Sequence, residues 1–235
     1  MTNIGLCVNP GKNELVQSSE CNYLCLAIKT KVITEEDSLT NIIEDYAKPY
    51  LRKGDILFLS EKMVACTQGR AIPLDSIKPS FLSRFLSKFV TRNKAGANLA
   101  MPETMQCAVD ECGSIRILLA AVAGMFGKLL GQKGWFYHVA GYRAAGIDRP
   151  CDSTIPPYNN HVVLTPLAPD RVATDISKTL DDVIVLIVDV NDLGANILGS
   201  SEHIDRDYII DLLRQNPLGQ SNESTPMGIL RVVSA

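Results

Sequence analysis

Hydrophobic and polar positions fall into two periodicities along this chain. Leu39, Ile42, Ile43, Tyr46, Ala47 and Tyr50 recur at helical spacing, which puts them on one apolar stripe, and Gly54 stops the run. The apolar, β-branched stretch 21–33 ahead of it runs into Thr34-Glu35-Glu36-Asp37, a polar patch of the kind that starts a helix. Residues 55–60 and 183–188 are short apolar runs whose brevity predicts buried strands, and β-branched residues dominate the second. The patterning predicts further helices over 81–91, over 104–130 with a break near Gly113, over 169–180 and over 205–215, and strands over 135–140, 161–164 and 227–233. Helices and strands do not alternate regularly, so an α+β fold with mixed or antiparallel sheets is preferred to a doubly wound one. A single domain over 1–235 is expected, and the helical middle, about 80–132, is the stretch able to form a subdomain.

Composition narrows the class. A chain of 235 residues with 46% apolar and 21% charged residues can bury a sizeable core. Lys+Arg 23 against Asp+Glu 26 leaves a formal charge of -3. No basic run is present to neutralise a row of phosphates, which argues against a nucleic-acid partner. Met1-Thr2-Asn3-Ile4-Gly5 lacks the charged and apolar regions of a signal peptide, so a cytoplasmic protein is expected. The most apolar stretch, 115–130, is interrupted by Arg116 and Lys128 and reads as a core helix rather than a membrane span. Seven cysteines without C-x-x-C spacing read as free thiols, not as a disulfide framework or a zinc site.

Four segments carry candidate chemistry. Ala144-Ala145-Gly146-Ile147-Asp148-Arg149 sets one acid after a glycine turn, and alone it reads as a surface turn. Asp189-Val190-Asn191-Asp192 brings three oxygen-bearing side chains to the end of a buried strand. Hard cations such as Mg2+ take oxygen ligands, although Asp and Asn are also ordinary turn residues. Ser60, Lys62, Gln68 and Arg70 follow the first buried strand and are able to hold a phosphate or simply to be solvated. The loop 219–226, with Gly219, Gln220, Ser221 and Thr225, offers backbone and hydroxyl donors to a nucleotide or merely connects elements. Residues 124–129 lack P-loop spacing, and His138, His161 and His203 are too far apart in sequence to read as a metal set.

In order, these segments resemble the coenzyme F-420 gamma-glutamyl ligase family from about residue 28 to 231. Gly54-Asp55-Ile56-Leu57, then Ser60-Glu61-Lys62-Met63-Val64 and Gln68-Gly69-Arg70, are similar to its Gly-Asp-hydrophobic strand, Ser-Lys turn and Glu-Gly-Arg ending. Ala145-Gly146-Ile147-Asp148 is similar to its Asn-Ala-Gly-Ile-Asp turn, and Thr165-Pro166-Leu167-Ala168-Pro169-Asp170 to its next helix start. Asp189-Val190-Asn191 resembles its Ser-Asp-Thr segment, and 218–231 its closing loop and strand.

The resemblance implies an α+β fold, a homodimer, and a small-molecule ligase that joins glutamate to a carboxylate with GTP or ATP as co-substrate and Mg2+ or Mn2+ as metal. It implies Asp148 and Asp189 as metal ligands, to which the oxygen cluster at the end of the second strand adds Asn191 as a candidate. Ser60 and the loop with Gly219, Gln220, Ser221 and Thr225 are implied at the nucleotide, and Lys62 and Arg70 are the candidate phosphate contacts beside them. The chain departs from the pattern at Cys66, where the family has a nucleotide-contacting Lys, and at Gln68, Cys151 and Val190, and 192–205 is short. Loss of a charged phosphate contact removes about 1.5–3 kcal/mol. Two other readings stay open: a binding protein that has kept the fold, and an enzyme using Cys66 or Cys151.

Overall fold

The computed structural model describes residues 5–17, 21–90, 98–132, 134–192, 194–219 and 223–233. In chain order the strands are β1 (Gly5–Cys7), β2 (Leu15–Gln17), β3 (Asn22–Lys29), β4 (Ile56–Ser60), β5 (Ala71–Pro73), β6 (His161–Val163), β7 (Ile184–Asn191), β8 (Gly194–Ser200) and β9 (Met227–Val233). The helices are α1 (Leu39–Tyr46), α2 (Glu61–Thr67), α3 (Phe81–Leu86), α4 (Pro102–Cys112), α5 (Ser114–Leu129), α6 (Trp135–Ala140), α7 (Tyr142–Ala145), α8 (Pro169–Thr179) and α9 (Arg206–Leu213). They divide into two compact units: one of Met1–Gly69, Ser153–Ile155 and Pro166–Ala235, the other of Arg70–Asp152 and Pro156–Thr165. The class is α+β, as the sequence implies.

In the first unit the order of the seven-stranded sheet is β1-β3-β9-β4-β7-β8, with β2 also paired to β3. Only β4 and β7 run parallel; the other pairs are antiparallel. Period-two alternation sorts each strand's side chains between two cores. Leu57, Leu59, Val185, Ile187, Met227 and Ile229 face α1, α2 and α8 through Ile43, Val64 and Ile176. Phe58, Leu186, Val188 and Leu230 face α9 through Ile209, Leu212 and Leu213. Buried on both sides, β4 and β7 are therefore continuous apolar runs, which is why their sequences are so legible. Gly228 lies under Phe58, where an added Cβ would come within 2.4 Å of the ring.

The second unit packs α3 to α7 against the two-stranded β5-β6 ladder, around Leu99, Met105, Ile117, Ala140, Ile147 and Val162. Gly113, at φ 85, separates α4 from α5. Among the described residues no single helix is long and apolar enough to cross a membrane. The α4–α5 pair passes on length and composition only together, bent by 118°.

Four expectations need correction. Residues 135–140 form α6, not a strand: Gly134 and Gly141, both at positive φ, bracket one helical segment that packs on α5 despite its aromatic, β-rich composition. The stretch read as a core helix is α5, yet it buries only Ile117, Ala120 and Gly127. The helix expected to start at 34–37 begins after Ser38, whose hydroxyl accepts from Asn41 N. The helix expected over 81–91 ends at Leu86 and continues as a 3-10 turn, Ser87–Phe89, while residue 91 lies outside the described residues.

Candidate active site

The parallel pair fixes where chemistry can gather in the first unit. Ser60 is in register with Val188 and Leu59 with Met227, so the ends of β4 and β7 and the start of β9 share one edge of the sheet. Ser60 N donates to Pro226 O (2.8 Å), which ties the end of the 219–226 loop to the end of β4. Strand carboxyl ends at a sheet rim are a common place for polar groups that meet a ligand. Ser60, the loop and the 189–192 segment, far apart in sequence, are brought together there.

Ser60 is the N-cap of α2, its Oγ accepting from Met63 N at 3.2 Å. Lys62 lies half-buried on the first turn of that helix. Cys66, at the place of the family's Lys, is buried in the same helix and presents no cation. Gln68 closes the helix and clasps the backbone of Leu167.

Asp189 and Asn191 alternate along β7 with Val188 and Val190, which pack towards α9, so the two polar side chains share the other face of the strand. Asn191 Nδ2 donates to Asp189 Oδ1 across 3.4 Å. Asp192, at the turn into β8, accepts from Lys12 Nζ and from Asn216 Nδ2, each at 3.0 Å. Asn216 Nδ2 also donates to Gly219 O at 3.0 Å, so the turn after β7 and the start of the loop are one hydrogen-bonded piece. The carboxyl of Asp192 is held below the usual carboxylate range by the Asn216 amide first and by the Lys12 ammonium second.

The loop itself is held from several sides. Asn9, buried, donates through Nδ2 to Pro217 O (2.8 Å) and to Thr225 Oγ1 (2.9 Å), and Thr225 Oγ1 donates to Leu218 O (2.6 Å). Thr30 N donates to Ser224 O (2.9 Å). Gly219 has φ 80, a left-handed conformation that glycine adopts without strain and that side chains rarely take. Gln220 and Ser221 lie outside the described residues. The sequence reading missed Asn9, Lys12 and Asn216: Asn9 reaches the loop and Lys12 reaches Asp192 only through the fold, while Asn216, three residues before Gly219, also holds Asp192 across 24 residues.

Arg70 and Asp148 belong to the second unit. The Arg70 guanidinium donates to Thr165 O and to Glu111 Oε2, both at 2.6 Å, and Arg143 meets the same Glu111 oxygen at 2.6 Å. Arg70 is thus committed to an internal network, with Arg143 the more exposed of the two cations. Asp148 exchanges both backbone hydrogen bonds with Val163 of β6, an isolated antiparallel bridge outside the β5-β6 ladder that fixes the acid's backbone. The glycine turn before it is therefore a pinned element, with Ile147 buried beneath.

Among the described residues no group of three or more His, Cys, Asp and Glu is arranged to hold a metal. Mg2+ needs no such cage: it keeps waters and takes one or two protein oxygens together with substrate phosphates. The oxygen pair of Asp189 and Asn191 fits that kind of site.

Comparison with known proteins adds one match. The family described as F420-0:Gamma-glutamyl ligase matches residues 27–193, a span that holds Ser60, Lys62, Arg70, Asp148, Asp189 and Asn191 and stops short of the 219–226 loop. No curated protein matches the chain. With more than half of its length matched on this fold, the chain belongs to the F420-0:gamma-glutamyl ligase family, enzymes of the gamma-glutamyl ligase kind.

Proposed function

We propose that the protein joins an amino acid, glutamate by family membership, to a small carboxylate substrate in an amide bond, at the expense of GTP or ATP and with Mg2+ or Mn2+. The observation that supports this most is the convergence at one sheet edge of Ser60, the Asp189-Asn191 pair and the braced loop with Gly219 and Thr225. A carboxylate is a poor acyl donor, because oxide is too poor a leaving group for an amine to displace. Transfer of the terminal phosphoryl group to the carboxylate makes an acyl phosphate and a nucleoside diphosphate. Attack by the amine then forms the C–N bond, breaks the C–O bond and releases phosphate, with the amine proton passing to solvent or a nearby base. A divalent ion bound with the nucleotide supplies charge neutralisation at the transferred phosphoryl group.

Asp189 and Asn191 would hold that ion, and Ser60, Lys62 and the loop at Gly219, Gln220 and Ser221 would orient the phosphates; Thr225, buried and donating its hydroxyl proton to Leu218 O, braces the loop instead of meeting them. Arg70 keeps its place in the proposal through the resemblance, with its internal partners as a competing duty. Asp148 carries its metal role on the resemblance alone, and Asp148→Ala tests it separately.

The test is thermal unfolding of the purified protein with GTP, ATP or neither, each with Mg2+, Mn2+ or chelator. A ligand at about 100 times its dissociation constant stabilises by about 2.7 kcal/mol. Stabilisation that needs both nucleotide and metal, and disappears in Asp189→Ala, is the expected result; no shift with any combination overturns the proposal. One observation favours a second reading, a binding protein that has kept the fold: buried Cys66 brings no charge where a phosphate-contacting Lys would stand. Hydroxylamine traps acyl phosphates as hydroxamates, so nucleotide binding without hydroxamate from any offered carboxylate would favour that reading.

A further inference from the structure

Three guanidinium groups gather at the corner between α4, α5 and α7, inside the second unit. Arg70 and Arg143 both meet Oε2 of Glu111, near the C-terminal end of α4, at 2.6 Å, so two like charges share one carboxylate oxygen. The third, Arg116, stands in the first turn of α5, a turn with no acidic residue. Its Nε donates to Val139 O (2.8 Å), and its Nη2 lies 2.8 Å from the place a Cβ on Gly141 would take. That sets the fork over the joint between α6 and α7, close to Arg143 in sequence. Arg116 and Arg143 also act together on the Cys112 thiol: burial raises its pKa, both cations pull it down, and Glu111 pushes it up. The neighbouring acid, Asp110, is taken by Gln106 Nε2 (2.7 Å) one turn back on α4. Among the described residues the corner thus holds positive charge that Glu111 alone does not neutralise.

The cluster is held from beneath. Thr165, buried, accepts Arg70 Nε at its carbonyl (2.6 Å) and donates its hydroxyl to Arg143 O (3.1 Å), so Arg70, Thr165, Arg143 and Glu111 close a ring. Arg70 is spent inside that ring and is 11% exposed. Arg143 has one nitrogen on Glu111 and is 40% exposed, which leaves the rest of its five-donor fork to solvent. Guanidinium groups fixed side by side repel one another unless an anion lies against them.

We propose that Arg143 and Arg116 bind a dianionic phosphate group, with Glu111 and Arg70 as positioning residues that hold Arg143 in place. Guanidinium forks match phosphate oxygens two at a time, which a lysine does not do. The charges agree: three cations against one carboxylate leave two positive charges, and a phosphate monoester carries about -1.5 to -2 at pH 7. A lone carboxylate would leave the corner unbalanced. The site is built from the second unit's own residues and needs neither metal nor nucleotide, so it stands independently of the proposed reaction.

Titration calorimetry of the full chain with inorganic phosphate, glycerol 3-phosphate or glutarate tests it, in chelator, without nucleotide and at constant ionic strength. The expected result is saturable one-to-one binding of the two phosphate compounds, the tighter of them telling a phosphorylated small molecule from the free ion. Arg143→Gln, with unchanged circular dichroism, should weaken it about 10- to 100-fold, the change that loss of one charge-assisted bond gives. Arg143→Lys keeps the charge without the fork and should fall between. Arg171→Gln, which removes an exposed cation of α8, should bind as the native chain does. Arg116 is read in the native chain, since replacing it also breaks the bond to Val139 O. Phenylglyoxal modifies guanidinium groups, and phosphate should protect Arg116 and Arg143 but not Arg171, as read by peptide mass mapping. No saturable binding of either phosphate compound at millimolar concentration overturns the proposal. So does binding that Arg143→Gln leaves unchanged, protection that falls on other arginines, or tighter binding of glutarate, which would assign the corner to a carboxylate.

Discussion

The side-chain amide of Gln68 makes both hydrogen bonds to one peptide residue: Nε2 donates to Leu167 O at 3.1 Å, and Oε1 accepts from Leu167 N at 2.7 Å. It thereby fastens the end of α2 to the segment that leads into α8. A Glu, as the family pattern has here, accepts from the amide but has no proton for the carbonyl. The departure at Gln68 thus has a structural reason within this chain. Gln68→Glu keeps one bond and sets a carboxylate oxygen against a carbonyl oxygen. The expected cost is about 1 kcal/mol, read in urea unfolding as a lower midpoint at unchanged slope. An unchanged midpoint would show that the clasp contributes nothing.

Arg231 and Asp55 form the most buried ion pair of the first unit among the described residues, with side chains 12% and 2% exposed. Arg231 donates through Nε and Nη2 to the two carboxylate oxygens at 2.9 and 2.7 Å and through Nη2 to Tyr50 O at 2.7 Å, while Asp55 also accepts from Arg52 N. The pair joins the entry of β4 to β9. Arg231→Ala strands a buried carboxylate, and the expected loss is about 3–5 kcal/mol, whereas an Asp55→Asn, Arg231→Met double variant should recover part of it. Thermal and denaturant unfolding of the three chains decides it. A double variant worse than the single would show that the pair itself, not the stranded charge, carries the stability.

The fold was legible wherever one segment's own pattern determined its environment. The runs of β4, β7 and β9 and the stripe of α1 report burial directly, and 227–233 matches β9 residue for residue. It was illegible where a neighbour decides. Nothing in Gly194–Ser200 reads as a strand, yet it pairs with β7, and Gly199 is needed because a Cβ there would lie 2.4 Å from the carbonyl carbon of Pro169. Helix α6 carries the aromatic composition of a strand and is helical between two glycines. The site divides in the same way. Ser60, Asp189 and Asn191 stand at the ends of apolar strands and could be named from sequence, whereas Asn9 reaches Pro217, and Lys12 and Asn216 reach Asp192, across about 25 to 200 residues of sequence, which no local pattern records.

The cysteines separate by environment, which gives a labelling experiment. Burial pushes the Cys25 thiol up to about 12, and burial with the nearby Asp110 and Glu111 carboxylates does the same for Cys107. Cys66 is buried, and Cys151 is exposed. Thiolate is the reactive form, so a maleimide at pH 7.5 should label Cys151 first, leaving Cys25, Cys66 and Cys107 to react only on unfolding. Peptide mass mapping over time reads the order. Fast labelling of Cys66 in the native protein would revive the reading of it as a nucleophile; protection removes it.

The brace of Asp192 makes the loop's rigidity depend on pH, with a definite sign. Asn216 and Lys12 lower the carboxyl's folded pKa below its unfolded value, so the stabilisation is complete above the ordinary carboxylate range, about 4, and is lost as pH falls through the folded value. Between pH 5 and 8 amide exchange in 216–219 and 223–226, corrected for intrinsic rate, should be flat, and protection should fall only below about pH 4. Asp192→Asn should show the unprotected behaviour at pH 7 and weaken nucleotide binding by about tenfold if the loop meets phosphate, with little change in the unfolding midpoint because the carboxylate is largely exposed. Loss of protection between pH 8 and 6 would assign the control to another group. An Asp192→Asn chain that binds nucleotide as the native one does would leave the brace a structural detail and move the phosphate contacts to Ser60 and Lys62.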